Sequence, residues 1–457
     1  MFTRQKKDFH SKMKNRVLIL GFGISGQAAA RLARDLGKTP LPVDVRTVPW
    51  DGEALFNWTP GTALPEAPLA VISPGISIHS PMAQAARDAG AEVIGELEFA
   101  VRALDRPFAA ITGTNGKTTT TELTAALFRA NGIRAEAAGN IGNALSDAVL
   151  QIRKRNDLDF LILETSSFQL ESIAGSFAPS TAAFLNLASD HINRHGSPEG
   201  YRKAKERIFR NRKGTAVIRA DLLASVDVGK GPVLTFSSTD TNADFHLSSG
   251  SFRFRNTPVL ARADLKLPGL HNAENLMAAL AILYAEAGEK ALFSAETAEA
   301  VRSFAPDAHR MELFAEAGGV RFFDDSKATN PHSVNAFLRT FGGQKNVVLI
   351  LGGLDKEMDF SSIRDDADKI KCAFLIGECR DKIFRTLSSS FPCTLCTSLD
   401  EAAEQGFHAA APGDLLALSP ACASMDQFRD YKERGLRFQT AIRALIEHAP
   451  ATAGNVR

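Results

Sequence analysis

The chain has 457 residues, of which 44% are apolar and 23% are charged. This composition is that of a globular protein with sizeable cores, and the length suggests about three domains. The 53 basic and 52 acidic side chains leave a net charge of +1, which gives no general attraction to nucleic acids or membrane surfaces. No stretch approaches the roughly 20 apolar residues that a membrane-spanning helix requires.

Cysteine usage indicates the compartment. The five cysteines are Cys372, Cys379, Cys393, Cys396 and Cys422. An odd and sparse set in a long chain is typical of a reducing environment, so we expect a cytoplasmic protein. Cys393 and Cys396 form a close pair, but no second pair lies nearby to complete a zinc site, and we expect a structural role for them.

The first predicted domain, residues 1–104, opens with an apolar strand at 17–20 that runs into a loop with glycines at 21, 23 and 26. Basic residues precede this strand as in a secretion signal, but the glycines interrupt the apolar run and favour a strand entering a loop. A helix at 27–36 and a second strand ending at Asp44 follow. This pattern is a βαβ nucleotide-binding fingerprint, which does not identify the nucleotide.

The second predicted domain, residues 105–305, contains the most informative motif. An apolar strand runs into Gly113-Thr-Asn-Gly-Lys117-Thr118, and a helical pattern follows. Backbone N–H groups and the positive end of a helix dipole make such a loop a phosphate cradle. The usual pattern G-x-x-x-x-G-K-[ST] has a glycine where this chain has Ile111. The loop predicts an ATP site.

Polar residues follow two further strands of this domain. The strand at 160–163 leads into Glu164, a position where nucleotide-binding domains commonly hold a metal-side carboxylate. His191 and His195 stand four apart, as zinc ligands on a helix do, but Gly196 and Pro198 favour a loop here.

The remainder alternates between helical and strand patterns. A helix is predicted around 201–206, a small β layer across 214–266, and a long helix from about 271 to 287. In the third predicted domain, 306–457, apolar strands alternate with helices, which indicates a parallel sheet. We therefore expect an α/β protein with a Rossmann-like N-terminal domain, a central ATPase-like domain that combines a mostly parallel sheet with the small β layer, and a Rossmann-like C-terminal domain.

Together these motifs resemble the Mur ligase family over nearly the whole chain. The matching stretches are residues 113–118, 164–171, 190–191, 271–275, 309–310, 325–330 and 419–428. The first is shared with a broader group that includes folylpolyglutamate synthase. The last two are typical of the branch that adds D-glutamate to UDP-N-acetylmuramoyl-L-alanine.

The resemblance implies an ATP-dependent amide-bond ligase of cytoplasmic peptidoglycan precursor synthesis. ATP would phosphorylate the L-alanyl carboxylate, the amine of glutamate would attack the acyl phosphate, and ADP and phosphate would be released. The substrates would be UDP-N-acetylmuramoyl-L-alanine, D-glutamate and ATP, with Mg²⁺ at two sites. The choice between D- and L-glutamate depends on groups around one carbon atom and stays open at the level of sequence.

The resemblance also implies ligand-binding residues. Those for ATP are Gly113, Thr114, Asn115, Gly116, Lys117, Thr118, Thr119, Asn272, Asn275, Arg310 and Asp325. Those for the UDP-sugar are Ser25, Asp44, Arg46, Ser73, Pro74, Gly75 and Asn140. Those for glutamate are Lys327, Thr329, Lys356, Ser424 and Met425. Lys356 follows Gly-Gly-Leu-Asp, where the family pattern is Gly-Gly-Asp-Gly.

The implied metal ligands are Thr118, Glu164, His191 and Lys205. With Lys117, the last three of these are also the implied catalytic residues. In the family the lysine matching Lys205 reacts with CO₂, which turns an ammonium into an anionic carbamate with oxygen ligands for Mg²⁺. The alternative for Lys205 is a solvated helix lysine, and Lys203 lies close by in the sequence.

Three alternatives remain. The first glycine loop could serve an NAD-linked oxidoreductase, which would leave residues 113–118 without a purpose. The chain could be a nucleotide-dependent regulatory module without transfer chemistry. It could also be a sister ligase that adds L-alanine, a diamino acid or glutamate to folate, against which the motifs at 325–330 and 419–428 argue. We expect a monomer without nucleic-acid partners or membrane insertion.

Overall fold

In a computed structural model of the chain, residues 15–46, 55–140, 144–188, 190–305, 308–355 and 358–448 are described. Their strands form sheets of five, nine and six strands, and helices lie between many of the consecutive strands. The α/β prediction is therefore confirmed. The chain divides into two compact units, one of residues 1–187, 199–265 and 273–304, the other of residues 188–198, 266–272 and 305–457. The predicted domain boundaries near residues 104 and 305 stay predictions.

The first sheet is wholly parallel, with strand order β3-β2-β1-β4-β5. Its strands are β1 (Arg16–Leu20), β2 (Thr39–Asp44), β3 (Phe56–Asn57), β4 (Leu69–Ile72) and β5 (Glu92–Gly95). Its helices are α1 (Ile24–Asp35), α2 (Pro81–Asp88) and α3 (Glu96–Arg102). Continuous apolar runs such as that of β1 form strands here because a parallel sheet with helices on both faces buries both sides of each strand.

The central sheet has the order β14-β13-β12-β11-β10-β9-β6-β8-β7. Its strands are β6 (Phe108–Thr112), β7 (Ala135–Gly139), β8 (Phe160–Glu164), β9 (Thr181–Phe184), β10 (Thr215–Arg219), β11 (Val233–Ser237), β12 (Phe245–Ser248), β13 (Ser251–Phe254) and β14 (Thr257–Ala261). The strands from β10 onward occupy the predicted β layer and continue the parallel sheet, ending in the antiparallel ribbon β12–β14.

The helices of this region are α4 (Lys117–Ala130), α5 (Leu145–Arg155), α6 (Ser167–Glu171), α7 (Ile192–His195), α8 (Pro198–Glu206), α9 (Leu270–Leu292) and α10 (Ala295–Ser303). The expected loop at 192–195 is wrong in one detail, because these residues form the single helical turn α7. Short 3₁₀ helices lie at Arg207–Phe209, Ala220–Leu222 and Arg262–Asp264.

The first two sheets share one hydrophobic core, and buried carboxylates reinforce their contact. Glu98 on α3 accepts hydrogen bonds from the backbone N–H groups of Ala174, Ser176 and Phe177. Apolar side chains of α3 and α5 belong to the same cluster as those of the central strands. The first unit is therefore held together both by apolar burial and by a carboxylate that is fully hydrogen-bonded, which offsets the cost of burying its charge.

The third sheet has the order β15-β16-β20-β17-β18-β19, with only β15 antiparallel among its described strands. Its strands are β15 (Glu312–Ala317), β16 (Val320–Asp324), β17 (Val347–Gly352), β18 (Ile370–Ile376), β19 (Cys393–Leu395) and β20 (Leu415–Leu418). Its helices are α11 (Pro331–Phe341), α12 (Arg380–Leu387), α13 (Leu399–Ala409) and α14 (Tyr431–His448), with a 3₁₀ segment at Ser361–Lys369. Separate apolar clusters cover its two faces.

Across the described residues, no helix combines the length and the apolar content that crossing a membrane would demand. The five cysteines are free thiols.

Candidate active site

The glycine loop joins β6 to α4 in the way the sequence predicts. The strand ends at Thr112 and the helix begins at Lys117, with Gly116 at the N-cap in a left-handed conformation (φ +80°). A Cβ at Gly116 would lie 2.1 Å from Oδ1 of Asn275, so this glycine is required both by its conformation and by its neighbour. The loop therefore presents the N-terminus of a 14-residue helix, which is a ready anion site.

Ile111 explains the departure from the usual phosphate-loop spacing. It lies within β6, fully buried, and pairs with Glu164 on one side and Ala183 on the other. Its carbonyl accepts hydrogen bonds from the N–H and the hydroxyl of Thr165. The position is a core strand position rather than part of the loop, so an apolar side chain belongs there.

Asn186, which the sequence did not single out, fixes the loop from the end of β9. Its side-chain carbonyl accepts from the N–H of Asn115 at 2.9 Å, and its amide donates to the carbonyl of Asn115 at 3.0 Å. The backbone carbonyl of Asn186 also accepts from the N–H of Thr114. The sequence could have indicated Asn186 by its position directly after a buried strand, because polar residues at such positions commonly contribute to a ligand site.

Two lysine ammonium groups converge on one backbone carbonyl of the loop. Nζ of Lys117 donates to the carbonyls of Gly113 and Thr114, each at 2.9 Å. Nζ of Lys205, a residue only 1% exposed, donates to the same Gly113 carbonyl at 2.7 Å and lies 4.6 Å from the ring centre of Tyr201. Lys205 is thus a buried residue against the phosphate loop, and the alternative of a solvated helix lysine is wrong.

Glu164 ends β8 and carries an incompletely satisfied carboxylate. Oε1 accepts from the side-chain amide of Asn140 at 2.8 Å. Oε2 is buried and has no hydrogen-bond partner among the described residues. A buried carboxylate oxygen without a partner is costly unless a cation or a proton joins it. The residue therefore fits a divalent cation ligand, and Asn140 is hydrogen-bonded to it.

His191 and Asn272 belong to the second unit, whereas Glu164, Lys205 and Asn275 belong to the first. His191 has a left-handed backbone (φ +53°), and its Nε2 lies 3.6 Å from Oδ2 of Asp190. The side-chain amide of Asn272 donates to the carbonyl of Pro268 at 2.7 Å.

The predicted UDP-sugar residues surround the first glycine loop. Oδ2 of Asp44 accepts from the N–H of Phe22 at 2.7 Å, and Oδ1 accepts from the N–H of Arg46 at 2.9 Å. Burial acts against the charged form of Asp44, but these donors hold the pKa of its carboxyl below the usual range. The Ser73 hydroxyl donates to the carbonyl of Gly21 at 2.7 Å. The loops after β1, β2 and β4 thus meet at one edge of the sheet.

Pro74 and Gly75 follow Ser73 in the loop after β4, and Ser25 lies in the first turn of α1. The Arg46 side chain is 76% exposed, with Nε 3.6 Å from the Asp44 carboxylate. Arg46 is therefore available to an anionic ligand at this edge.

In the second unit, Arg310 and Asp325 lie beside each other. Asp325 accepts from the Ser419 hydroxyl at 2.7 Å and from the N–H of Met311 at 3.1 Å. Burial raises the pKa of Asp325 to about 7, although its donors and the nearby Arg310 favour the charged form. Nε of Arg310 is buried and has no hydrogen-bond partner in the part of the chain that the structure describes. A buried guanidinium donor of this kind suits an anionic or polar ligand.

The predicted glutamate residues follow strands of the third sheet. Lys327 and Thr329 lie in the loop after β16, and the Lys327 ammonium is 5.2 Å from the ring centre of Tyr431. After β20, Ser424 is buried whereas Met425 is 64% exposed. Lys356 lies outside the described residues.

Leu354, where the family pattern has aspartate, pairs through its backbone with Ala423, and its N–H donates to that carbonyl at 2.9 Å. This contact joins main-chain atoms, so it does not require an aspartate side chain at position 354.

Comparisons with known proteins agree with this arrangement. The Mur ligase middle domain matches residues 111–283, and the Mur ligase glutamate ligase domain matches residues 309–422. The UDP-N-acetylmuramoylalanine--D-glutamate ligase of Geobacter metallireducens is 39% identical over 393 residues, covering 83% of this chain and 84% of that protein. The protein of the same name from Caldanaerobacter subterraneus is 35% identical over 461 residues, covering 94% and 98%.

Solved structures show the same fold. The UDP-N-acetylmuramate-alanine ligase of Thermotoga maritima superposes with a TM-score of 0.60 at 18% identity, covering 95% of this chain and all of that one (100%). The MurF ligase from Thermotoga maritima in complex with ADP has a TM-score of 0.57 at 16% identity, with coverages of 84% and 90%. The similarity to these solved structures shows the fold, whereas the similarity to the sequence relatives shows the family. The chain belongs to the Mur ligase family.

Proposed function

We propose that this protein is an ATP-dependent ligase that joins D-glutamate to the L-alanyl carboxylate of UDP-N-acetylmuramoyl-L-alanine, releasing ADP and phosphate. The observation that carries the proposal is the match to D-glutamate ligases at 34–39% identity over 83–94% of the chain. The protein would act as a cytoplasmic monomer in peptidoglycan precursor synthesis.

The glycine loop would hold the ATP phosphates. The backbone N–H groups at the start of α4 and the ammonium of Lys117 would supply positive charge to the transferring phosphoryl group, while the N–H groups of Thr114 and Asn115 donate to Asn186 and fix the loop. Lys117 now donates to carbonyls of its own loop, so binding of ATP exchanges these neutral acceptors for charged ones. Asn272, Asn275, Arg310 and Asp325 would hold the adenine, ribose and phosphates.

The metal proposal rests on the chemistry of the donor set. Thr118, Glu164 and His191 would hold Mg²⁺, which when bound neutralises charge on the phosphates. The unpartnered Oε2 of Glu164 supports this assignment. Lys205 would contribute as a carbamate, whose two oxygens share one negative charge, and its buried position would place this anion against the phosphate loop instead of an ammonium. Two metal sites would form in this way.

The remaining residues would bind the two other substrates. Ser25, Asp44, Arg46, Ser73, Pro74, Gly75 and Asn140 would hold the UDP-sugar. Lys327, Thr329, Lys356, Ser424 and Met425 would hold glutamate, whose two carboxylates need cationic and hydroxyl partners. The glutamate amine would attack the acyl phosphate, and Lys117 would help to stabilise the developing negative charge.

The test is ADP release with UDP-N-acetylmuramoyl-L-alanine as acceptor against a panel of D- and L-amino acids. We expect release that depends strictly on D-glutamate and yields an amide product of matching mass. Release that ignores the amino acid would favour a regulatory module, and dependence on another amino acid would favour a sister ligase. Thermal stabilisation by NADH but not by the UDP-sugar would favour an oxidoreductase.

A further inference from the structure

Arg434, on α14, is one of the largest fully buried side chains of the protein, with 1% of its surface exposed. Its Nε donates to the Ser326 hydroxyl at 3.0 Å, and its Nη2 donates to the carbonyls of Ser326 at 2.8 Å and Cys422 at 3.0 Å. Its Nη1 lies 3.5 Å from the carbonyl of Gly352. One guanidinium thus reaches the loops that follow β16 and β20 and the end of β17.

These loops carry the residues proposed for glutamate. Lys327 directly follows Ser326, and Ser424 stands two residues after Cys422. The first turn of α14 adds to the contact, because the Ser326 hydroxyl donates to the carbonyl of Tyr431 at 2.8 Å and the Lys327 ammonium faces the ring of the same tyrosine. The position of the Lys327 side chain is therefore coupled to α14.

Two glycines allow α14 to approach the loops this closely. Gly353 has φ +145°, and a Cβ there would lie 2.2 Å from the carbonyl of Ala423 and 3.1 Å from Nη1 of Arg434. A Cβ at Gly435 would lie 2.3 Å from Nδ1 of His309. Backbone and guanidinium are thus packed without room for an added methyl group on either side.

The contacts of Arg434 use its fork of hydrogen-bond donors at the cost of burying its charge. Among the described residues no carboxylate lies within ion-pair distance of it. Burial lowers the pKa of its guanidinium to about 10, although the carboxylates of Asp426 and Asp324 favour the charged form, so it carries its charge at neutral pH. Burying a cation that hydrogen-bonds only to neutral groups costs free energy that an apolar side chain of similar size would avoid. A rigid fork with five N–H donors can, however, fix several loops at once, which neither an apolar residue nor lysine can do.

We propose that Arg434 is a positioning residue for the amino-acid substrate: it does not touch glutamate but holds the two loops that present Lys327, Thr329 and Ser424, together with the end of β17. The inference rests on the proposed function. A displacement of binding groups by about 1 Å can reduce rates by as much as a hundredfold, so loosening the loops should weaken glutamate binding selectively.

The test compares Arg434→Lys with Arg437→Lys, the same substitution one turn further along α14. Arg437 is exposed and pairs with Asp400, so it serves as the matched control. We expect the Arg434→Lys variant to raise the KM for D-glutamate by about tenfold or more, while the dissociation constant for UDP-N-acetylmuramoyl-L-alanine stays within about twofold. The control should leave both constants unchanged, and circular dichroism should show folded protein in each case.

A second variant, Ser326→Ala, removes the hydroxyl that accepts from Nε of Arg434 and donates to the carbonyl of Tyr431, and it should raise the KM for D-glutamate by about threefold or more. If Arg434→Lys folds, an unchanged KM for D-glutamate, or an equal loss of affinity for all three substrates, would overturn the inference. If Arg434→Lys does not fold, an unchanged KM for D-glutamate in Ser326→Ala would overturn it. Wild-type protein that shows no D-glutamate-dependent ADP release would instead defeat the proposed function.

Discussion

At the glycine loop of the central sheet, the groups that would bind phosphate come from neighbouring residues of the loop after β6 and of the first turn of α4. At the edge of the third sheet, the groups that would bind glutamate come from separate loops, and Arg434 joins residues 82 and 108 positions away in the chain. The first region relies on a left-handed glycine and a helix terminus, the second on a buried cation that bonds to backbone carbonyls. A binding site built from neighbouring residues suits a ligand that is common to many proteins. A site built from loops that are far apart in the chain allows each loop to change separately for a particular substrate.

The largest expected effect tests the local region. Lys117→Ala should reduce ADP release to less than about a tenth of wild type, because the variant removes the one loop side chain that can place a cation on the phosphates. Binding of the UDP-sugar, measured by calorimetry, should stay nearly unchanged, since the contacts of Asp44 and Ser73 do not involve this lysine. Turnover above that level would remove Lys117 from the phosphate site.

A second variant tests whether the local region depends on a modified side chain. Lys205→Ala should lose most activity, and short carboxylic acids added to the assay should restore part of it, because they can supply the oxygens of a carbamate. Lys203→Ala, on the exposed side of the same helix, is the control and should keep its activity. Intact-protein mass spectra of the wild type with and without CO₂ provide an independent check, and no CO₂-dependent mass on Lys205 would contradict the carbamate.

The phosphate loop depends on the backbone conformation of Gly116. The variant Gly116→Ala tests this dependence, and Gly132→Ala is its control. Both glycines are left-handed, at φ +80° and +78°, but only at Gly116 would the added methyl meet another residue, Asn275. Each alanine should cost about 1–2 kcal/mol of stability from its conformation. Only Gly116→Ala should also lower ADP release, by about tenfold or more. Equal activity in the two variants would show that the loop tolerates a side chain at its N-cap.

The smallest expected effect concerns the third sheet and is read from pH. The pKa of Asp325 in the folded protein, about 7, lies above its value of 3.8 in an unfolded chain. The folded state therefore holds a proton that the unfolded state has lost between about pH 4 and pH 7, so the contribution of Asp325 to stability falls as the pH rises through this range. Asparagine does not titrate in this range. The melting temperature of Asp325→Asn, relative to that of the wild type, should therefore rise between pH 5 and pH 8. A constant difference would mean that Asp325 is already charged at pH 5.

Much of the phosphate region was predictable from the sequence because its determinants are neighbours in the chain. Gly116 and Lys117 stand where the motif indicates, and β6 and α4 flank them as expected. Asn186 was missed because its bond to Asn115 spans 71 residues. The predicted helix at 201–206 was correct, but its pattern could not show that Lys205 is buried, since this depends on packing against the loop.

The glutamate region was predictable only as far as the family motifs reach. Lys327 and Ser424 were proposed in this way, whereas Arg434 lies outside those motifs and looks like an ordinary charged residue of an amphipathic helix. Its burial follows from two glycines, 353 and 435, that let the helix approach, and no periodicity in the sequence encodes such an approach. The position of Leu354 was a similar case, because its bridge to Ala423 involves only backbone atoms.

Three of the four acceptors of Arg434 are main-chain carbonyls, at positions 326, 352 and 422. A hydrogen bond to a main-chain carbonyl does not depend on the side chain of the acceptor residue. A substitution at position 422 can therefore leave the bond to Arg434 in place. Among related proteins these loops can therefore differ in sequence and keep one geometry, provided that the arginine, the hydroxyl at position 326 and the glycine facing the arginine are all retained. Such a scaffold would let new amino-acid specificities evolve by changes at the loop tips alone.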